Sequence, residues 1–374
     1  MESRIEALAD ELAVRVEMDV GWRAAMLAAP RHLFVPLVAW ATPYDEPGHV
    51  IDHDADRAGW LKAAYADHPI VTQIDDGRTG IREAETGECF SSSLSAPGAV
   101  MSLLDLLSPY PGDRVLEVGT GTGWTAALLS HRVGAANVTS VEIDASVLAT
   151  AAGNLERAGH HPRLVLGDGL LGHPGGAPYD RVHVTCGVHE VPYAWVEQTR
   201  PGGLIVLPWN PPFETGHDLA LTVTSEGTAV GRFRGGSSYM TVRGRRHPAR
   251  PQVEPDQWRH RETAVDPRRV MRAGYGADVA MATLVPGVWS ETEPGRESMT
   301  VRLWDRTSVA LVRGREVRRY GERDLWGELE TAFSEWVGWG SPGRNRFGLT
   351  VTRHDQHVWL DSPCNPLKKI EPAT

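Results

Sequence analysis

Cysteine is scarce in this chain, which has three: Cys89, Cys186 and Cys364. An odd number of widely separated thiols excludes a disulfide framework and a thiolate metal cluster. The 15 histidines are scattered and form no H-E-x-x-H pair, so no metal site is read. Long apolar runs are missing too. None approaches the roughly 18 residues that a membrane-spanning helix needs. The opening Met1-Glu-Ser-Arg-Ile-Glu6 has neither a basic patch nor an apolar signal core, so a cytoplasmic location is expected. Positive charge is in deficit, with 38 Lys and Arg against 48 Asp and Glu and a net charge of −10. That balance argues against a nucleic-acid partner, which would demand a basic surface. One basic stretch stands out, Arg243-Gly-Arg-Arg-His-Pro-Ala-Arg250. It reads as a solvated linker, or else as a docking patch for an acidic peptide. No internal repeat is present.

What is there begins with length. The 374 residues, 41% apolar and 23% charged, suffice for two globular domains. The most informative stretch is Val115-Leu-Glu-Val-Gly-Thr-Gly-Thr-Gly-Trp124. An apolar run breaks into glycines at 119, 121 and 123, and a helical pattern follows. Strand, glycine turn and helix in that order make a nucleotide-cofactor loop, because a Cβ there would hold the cofactor off the backbone. The spacing is G-x-G-x-G, unlike the G-x-G-x-x-G of dinucleotide enzymes. Glu117 precedes the first glycine by two residues, where it would repel a pyrophosphate and suit a cationic ligand such as S-adenosylmethionine. A second strand, Asn137–Asp144, carries Glu142, a carboxylate placed to accept ribose hydroxyls. A third ends at Asp168. The alternative is a Gly-rich turn in an ordinary α/β domain. It weakens with each acid found at a strand end.

Apolar positions at helical spacing predict a helix pair over residues 3–29. Residues 41–59 and the small-residue segment Ser91–Pro97 read as loops, and Ala99–Leu107 as an amphipathic helix. Strands are expected at Pro178–Thr185 and Leu204–Pro208, with a helix over Val188–Gln198 between them. Leu219–Thr224 and Ala229–Phe233 read as a hairpin closing one edge of the sheet. This alternation predicts an α/β fold with a doubly wound, mostly parallel sheet. The pattern changes near residue 246. Strands are expected over Val279–Val288, Thr300–Trp304 and Ser308–Val312. A helix is expected over Leu325–Trp339, and a hairpin over 347–360. The domain reading is therefore 1–245, with helices in 1–70 and a core in 71–245, followed by an α+β module at 246–374.

These residues carry a family resemblance over about 20–243. Ala25–Pro36, Ser93-Leu-Ser-Ala-Pro97, Gly112–Trp124, Gly167-Asp-Gly169, Pro178-Tyr-Asp180, Val191-Pro192 and Pro201-Gly-Gly203 resemble, in order, the motifs of protein-L-isoaspartate O-methyltransferases. The resemblance implies a Rossmann-like class I methyltransferase fold using S-adenosyl-L-methionine. It implies that Glu117, Gly119, Thr120, Gly121, Gly123, Glu142, Ile143, Asp168 and Gly169 bind the cofactor. It also places Ser95, with Ser93, beside the reacting carboxylate. Trp124 stands where Tyr is usual. The segments 43–66 and 75–77 and the C-terminal module depart from the common pattern. The long form resembles methyltransferases that act on ribosomally made, modified peptides such as lanthipeptides, lasso peptides and graspetides. The expected activity is methylation of an aspartate in such a peptide, leading to aspartimide or isoaspartate. The alternatives are a repair methyltransferase for isoaspartyl proteins and a catalytically silent cofactor-binding subunit. A peptide is the expected partner, with no nucleic acid and no membrane.

Overall fold

The structure is a computed structural model that describes every residue except 17, 84–88, 212, 214–215, 246–248, 296–298 and 371–374. Arg246, His247 and Pro248 of the basic stretch therefore lie outside the described residues. Two compact units partition the chain. The first holds Met1–Gly187, Pro192–Leu207 and Thr222–Gly227; the second holds Val188–Val191, Pro208–Leu221 and Thr228–Thr374. Residues 228–245 thus group with the C-terminal part of the chain, earlier than the boundary read at 245/246.

The first unit opens with α1 (Glu2–Leu12) and α2 (Val20–Ala28), the expected helix pair. Asp19 caps α2 by accepting from Trp22 N at 2.7 Å. Next come β1 (Val38–Ala41), β2 (His49–Asp52), α3 (Arg57–Ala64), β3 (Ile70–Ile74) and β4 (Phe90–Leu94). These strands form an antiparallel sheet in the order β2-β1-β3-β4. Two expected loops are therefore corrected. Residues 41–59 contain β2 and the start of α3, where Asp56 accepts from Gly59 N at 3.0 Å and Trp60 is buried. Residues 91–94 lie in β4, whose alternation is hidden by serine: Ser92 and Leu94 are buried, whereas Ser91 and Ser93 are half-buried.

The Rossmann-like core follows: α4 (Pro97–Leu107), β5 (Val115–Val118), α5 (Trp124–Val133), β6 (Val138–Glu142), α6 (Ala145–Arg157), β7 (Arg163–Leu166), β8 (Tyr179–Val184), α7 (Tyr193–Glu197) and β9 (Thr199–Trp209). The strands β7-β6-β5-β8-β9 are parallel. All four residues of β5 are buried, as a central strand covered on both faces requires. Each fully buried Val or Leu there contributes about 1.5–3 kcal/mol. The helix expected over Val188–Gln198 shortens to α7, because Pro192 sits at its N-cap.

In the second unit, β10 (His217–Val223) and β11 (Ala229–Phe233) are neighbours in one sheet. A second sheet is built from β12 (Arg259–Glu262), β13 (Trp289–Pro294), β14 (Met299–Trp304), β15 (Val309–Arg313) and β16 (Glu316–Tyr320), in the order β12-β16-β15-β14-β13. The helices are α8 (Pro267–Met271), α9 (Tyr275–Leu284) and α10 (Leu325–Gly338), and β17 (Phe347–Val351) and β18 (Gln356–Leu360) end the chain's regular structure. The expected strand at Val279–Val288 is mostly helix α9. Its apolar run is buried on every side, so no polar face betrays the helical period. Nor does the β10–β11 hairpin close an edge, since β17 pairs with β11 from Ala229↔Val351 to Arg232↔Gly348. Among the described residues, no helix is long and apolar enough to cross a membrane.

Candidate active site

β5 delivers the chain into the glycine turn. Gly119 has φ 96°, and a Cβ there would lie 2.5 Å from Thr185 Oγ1, so both conformation and space demand glycine. At Gly121 a Cβ would meet only the Ser93 carbonyl oxygen, at 3.4 Å. The glycine turn therefore runs past the backbone of β4.

Glu117 is fully buried. Its Oε2 accepts from Ser140 Oγ at 2.5 Å, and Ser140 Oγ lies 2.6 Å from Thr120 Oγ1. Its Oε1 is buried without a hydrogen-bond partner. Burial pushes this carboxyl up to about 8; the Ser140 bond opposes the shift and the nearby Glu142 adds to it. The motif read as a negative charge is therefore a protonated acid near neutrality in the ligand-free chain, one that a neighbouring cation would ionise.

Glu142 is nearly buried at the end of β6. Its Oε2 accepts from Gly121 N at 3.0 Å and its Oε1 from Asp144 N at 3.1 Å. Ile143 beside it is 50% exposed, an apolar side chain left uncovered at the strand end. Asp168 is exposed and accepts from Leu170 N at 2.9 Å. Gly169 packs so closely that a Cβ would sit 2.5 Å from Val118 Cγ1. Parallel pairing sets Glu142 opposite Leu166, two residues before Asp168, which brings the two strand-end acids to one end of the sheet. These residues fit S-adenosylmethionine. Glu117 Oε1 is a buried oxygen without a partner, Gly121 is open, Glu142 suits a ribose and Ile143 suits a purine face.

The serines of β4, together with Ser95 just after it, divide. Ser91 Oγ accepts from Asp76 N at 3.0 Å and donates to Gln73 Oε1 at 2.8 Å. Ser92 Oγ accepts from Thr72 Oγ1 at 3.1 Å. Both have structural work. Ser93 and Ser95 are half-buried, and their hydroxyls have no hydrogen bond among the described residues. Arg31, which sequence reasoning missed as a site residue, is buried at the exit of β4. Its guanidinium donates to Ser95 O at 2.9 Å, Ala64 O at 2.8 Å and His68 O at 3.1 Å. Burial lowers its pKa to about 9, and Asp67 opposes the shift, so it remains a cation at neutral pH. Arg31 lies inside the Ala25–Pro36 motif, but its partners lie 33–64 positions away along the chain. No local pattern announces them.

Glycine turn, strand-end acids and parallel order together define a class I S-adenosylmethionine-dependent methyltransferase fold. Residues 6–247 match the family profile described as Protein-L-isoaspartate(D-aspartate) O-methyltransferase, and the chain belongs to that family. The protein-L-isoaspartate O-methyltransferase of Pyrococcus horikoshii is 44% identical over 185 residues, which are 49% of this chain and 67% of the relative. That of Methanosarcina mazei is 34% identical over 186 residues, 49% of this chain and 61% of the relative. The chain thus spans from about three fifths to two thirds of the length of these relatives. A solved structure of a protein-L-isoaspartate O-methyltransferase shares the fold at 22% identity and a TM-score of 0.55, covering 97% of this chain and all of its own. That likeness extends into the C-terminal region and is one of fold.

Proposed function

We propose that this chain is an S-adenosylmethionine-dependent carboxyl O-methyltransferase acting on an isoaspartyl residue of a polypeptide. The observation that carries the proposal is the approach of β4 to the glycine turn, with Ser93 O 3.4 Å from the Cβ position of Gly121. A strand bearing one unpartnered hydroxyl, Ser93, and followed at once by a second, Ser95, passes the loop that fits the cofactor. When bound, S-adenosylmethionine supplies an electrophilic methyl group. Glu117, Glu142, Ile143 and Asp168, with the backbone of 119–123 and 169, would hold it. A substrate carboxylate is already ionised at pH 7, so the chain needs no general base. Ser93 and Ser95 can orient that carboxylate by donating hydrogen bonds. Arg31 fixes the backbone at Ser95. The contribution of the chain is then mainly placement of two reactants.

The family match and the relatives' names support the isoaspartyl substrate. A second reading is methylation of a normal aspartate in a ribosomally made, modified peptide. There the neighbouring amide would expel methanol and form an aspartimide. The stretch beyond residue 247, outside the family match, favours it. Three peptides separate the readings: an isoaspartyl peptide, its normal-aspartyl counterpart and a cyclised Asp-containing peptide. Each is incubated with enzyme and S-adenosylmethionine and followed by mass. Methylation of the isoaspartyl peptide alone supports the first reading. A methyl ester followed by methanol loss on the cyclised peptide alone overturns it in favour of the second.

A further inference from the structure

A line of hydrogen bonds with one consistent polarity joins β4 to the acid at the end of β6. It starts at Asp75-Asp-Gly77, where three successive residues have positive φ of 48°, 57° and 84°. Two of the three are aspartates, so the backbone there is strained and must be held by its neighbours. Asp76 N donates to Ser91 Oγ at 3.0 Å, and Ser91 Oγ donates to Gln73 Oε1 at 2.8 Å. With its carbonyl oxygen accepting from Ser91, the Gln73 side chain turns its amide nitrogen toward Asp144 and donates to Oδ2 at 3.0 Å. The other oxygen of Asp144 accepts from Ser146 N at 2.8 Å and Val147 N at 3.1 Å, capping α6. The Asp144 amide in turn donates to Glu142 Oε1 at 3.1 Å, and Glu142 Oε2 accepts from Gly121 N at 3.0 Å.

From this geometry we infer that Gln73 is a positioning residue coupling the substrate strand to the cofactor acid, so that peptide and cofactor tighten each other's binding. The inference rests on the functional reading above, in which β4 meets the substrate and Glu142 the cofactor. Ser91 lies on the same strand as Ser93, and a peptide that orders β4 also orders the Ser91–Gln73 bond. That bond sets the Gln73 amide, and the amide holds Asp144, whose backbone N–H orients Glu142. Coupling is reciprocal, so a cofactor analogue must tighten peptide binding by the same factor.

The polarity of the line supplies its own test. Gln73→Glu sets two carboxylates face to face. Asp144→Asn sets two amide donors face to face. The double variant Q73E/D144N reverses the pair. The carboxylate introduced at position 73 would accept both from Ser91 and from the amide introduced at position 144, and asparagine is still a good cap for α6. The measurement is the Kd of S-adenosylhomocysteine by calorimetry, with and without a saturating isoaspartyl peptide. The wild type is expected to show at least a roughly five-fold tightening by peptide, the lower end of ordinary coupling. Each single variant should bring that ratio close to one, and the double variant should restore most of it. A ratio near one in the wild type overturns the coupling while leaving the functional reading intact, provided the peptide is methylated. Equal weakening with and without peptide, unrelieved in the double variant, reduces Gln73 to a structural residue and overturns the inference. A wild type that methylates no isoaspartyl peptide fails at the functional reading, and the coupling falls with it.

Discussion

The acids around the glycine turn in the first unit and the acids of the second unit's five-stranded sheet and α10 face opposite situations. Glu117, Glu142 and Asp168 form no ion pair with Lys, Arg or His among the described residues; they accept from Ser140, from backbone amides, or, at Glu117 Oε1, from nothing. In the second unit Arg323 lies against both Glu328 and Asp305, Arg261 against both Asp324 and Glu330, and Arg302 against Glu293. A carboxyl without a countercharge costs stability when buried, whereas one beside a guanidinium is satisfied within the fold. The difference teaches where a ligand is expected. The first set is left open to a cation or a hydroxyl, and the second is closed on itself.

The largest effect expected from this contrast lies at Glu117. Its folded pKa, about 8, stands above the ordinary 4.5 because of burial. The folded chain therefore keeps a proton that the unfolded chain has released. The resulting stability is fully present below about pH 4.5, falls as pH rises through about 8, and then levels off. At about 1.4 kcal/mol per pKa unit the loss is roughly 3–5 kcal/mol as an order of magnitude. Glu117→Gln cannot ionise. Urea titrations of the ligand-free protein from pH 5 to 8.5 should show a steeper decline for the wild type than for the variant. Parallel pH profiles would mean that Glu117 ionises freely in the fold, and its contrast with the second unit would collapse.

Legibility in the sequence follows the same divide. The parallel core could be read from β5 and β7, short apolar runs that lead into glycine or acid, and β5 is buried along its whole length and so shows no polar alternation. Glu117, Glu142 and the three glycines were legible for the same reason. The four-stranded sheet was not, since β4 carries serine, a loop-forming residue, on both faces, and its alternation shows only when Ser92 and Leu94 are seen to be buried. Helix α9 was misread because a segment buried all round has no amphipathic period. Arg31 and Gln73 were invisible for a different reason. Gln73 reaches Asp144 across 71 positions and Arg31 reaches Ser95 across 64, and pairing at that range is set by tertiary packing alone.

A smaller effect is expected at Glu328, which sharpens the comparison from the closed side. Its side chain is only 5% exposed, and Arg323 donates to both of its oxygens. Burial pulls the pKa of Arg323 down, but Glu328 and Asp305 outweigh it and hold the guanidinium above its ordinary range. Glu328→Gln removes one countercharge and leaves a partly buried cation with Asp305 alone. Removing one member of a buried pair costs about 3–5 kcal/mol. With Asp305 still in place at 3.0 Å, a smaller loss of about 2 kcal/mol is expected. Urea unfolding at pH 7 checks it, and S-adenosylhomocysteine affinity should not change. A stability shift below about 0.5 kcal/mol, the range of an exposed pair, would show that the pair is not the structural element its burial implies.

The smallest effect tests whether pairing or burial makes the second unit self-sufficient. Arg318 donates to Glu316 at 2.7 Å, a good ion-pair distance, yet the two side chains are 46% and 48% exposed. Water and salt screen such a pair, and holding two long side chains in one geometry costs entropy, so an exposed pair contributes little. Glu316→Gln keeps the shape and removes the charge, just as Glu328→Gln does. It should shift the urea midpoint only slightly, well inside the range of exposed pairs, and about 1 M NaCl should erase even that. If E316Q instead matched E328Q, proximity alone would be stabilising the second unit. The open acids of the first unit would then be unusual only in lacking a neighbour. If the two variants differ as expected, what separates the regions is desolvation, and it is the buried, unpaired oxygen of Glu117 that carries the mark of a ligand site.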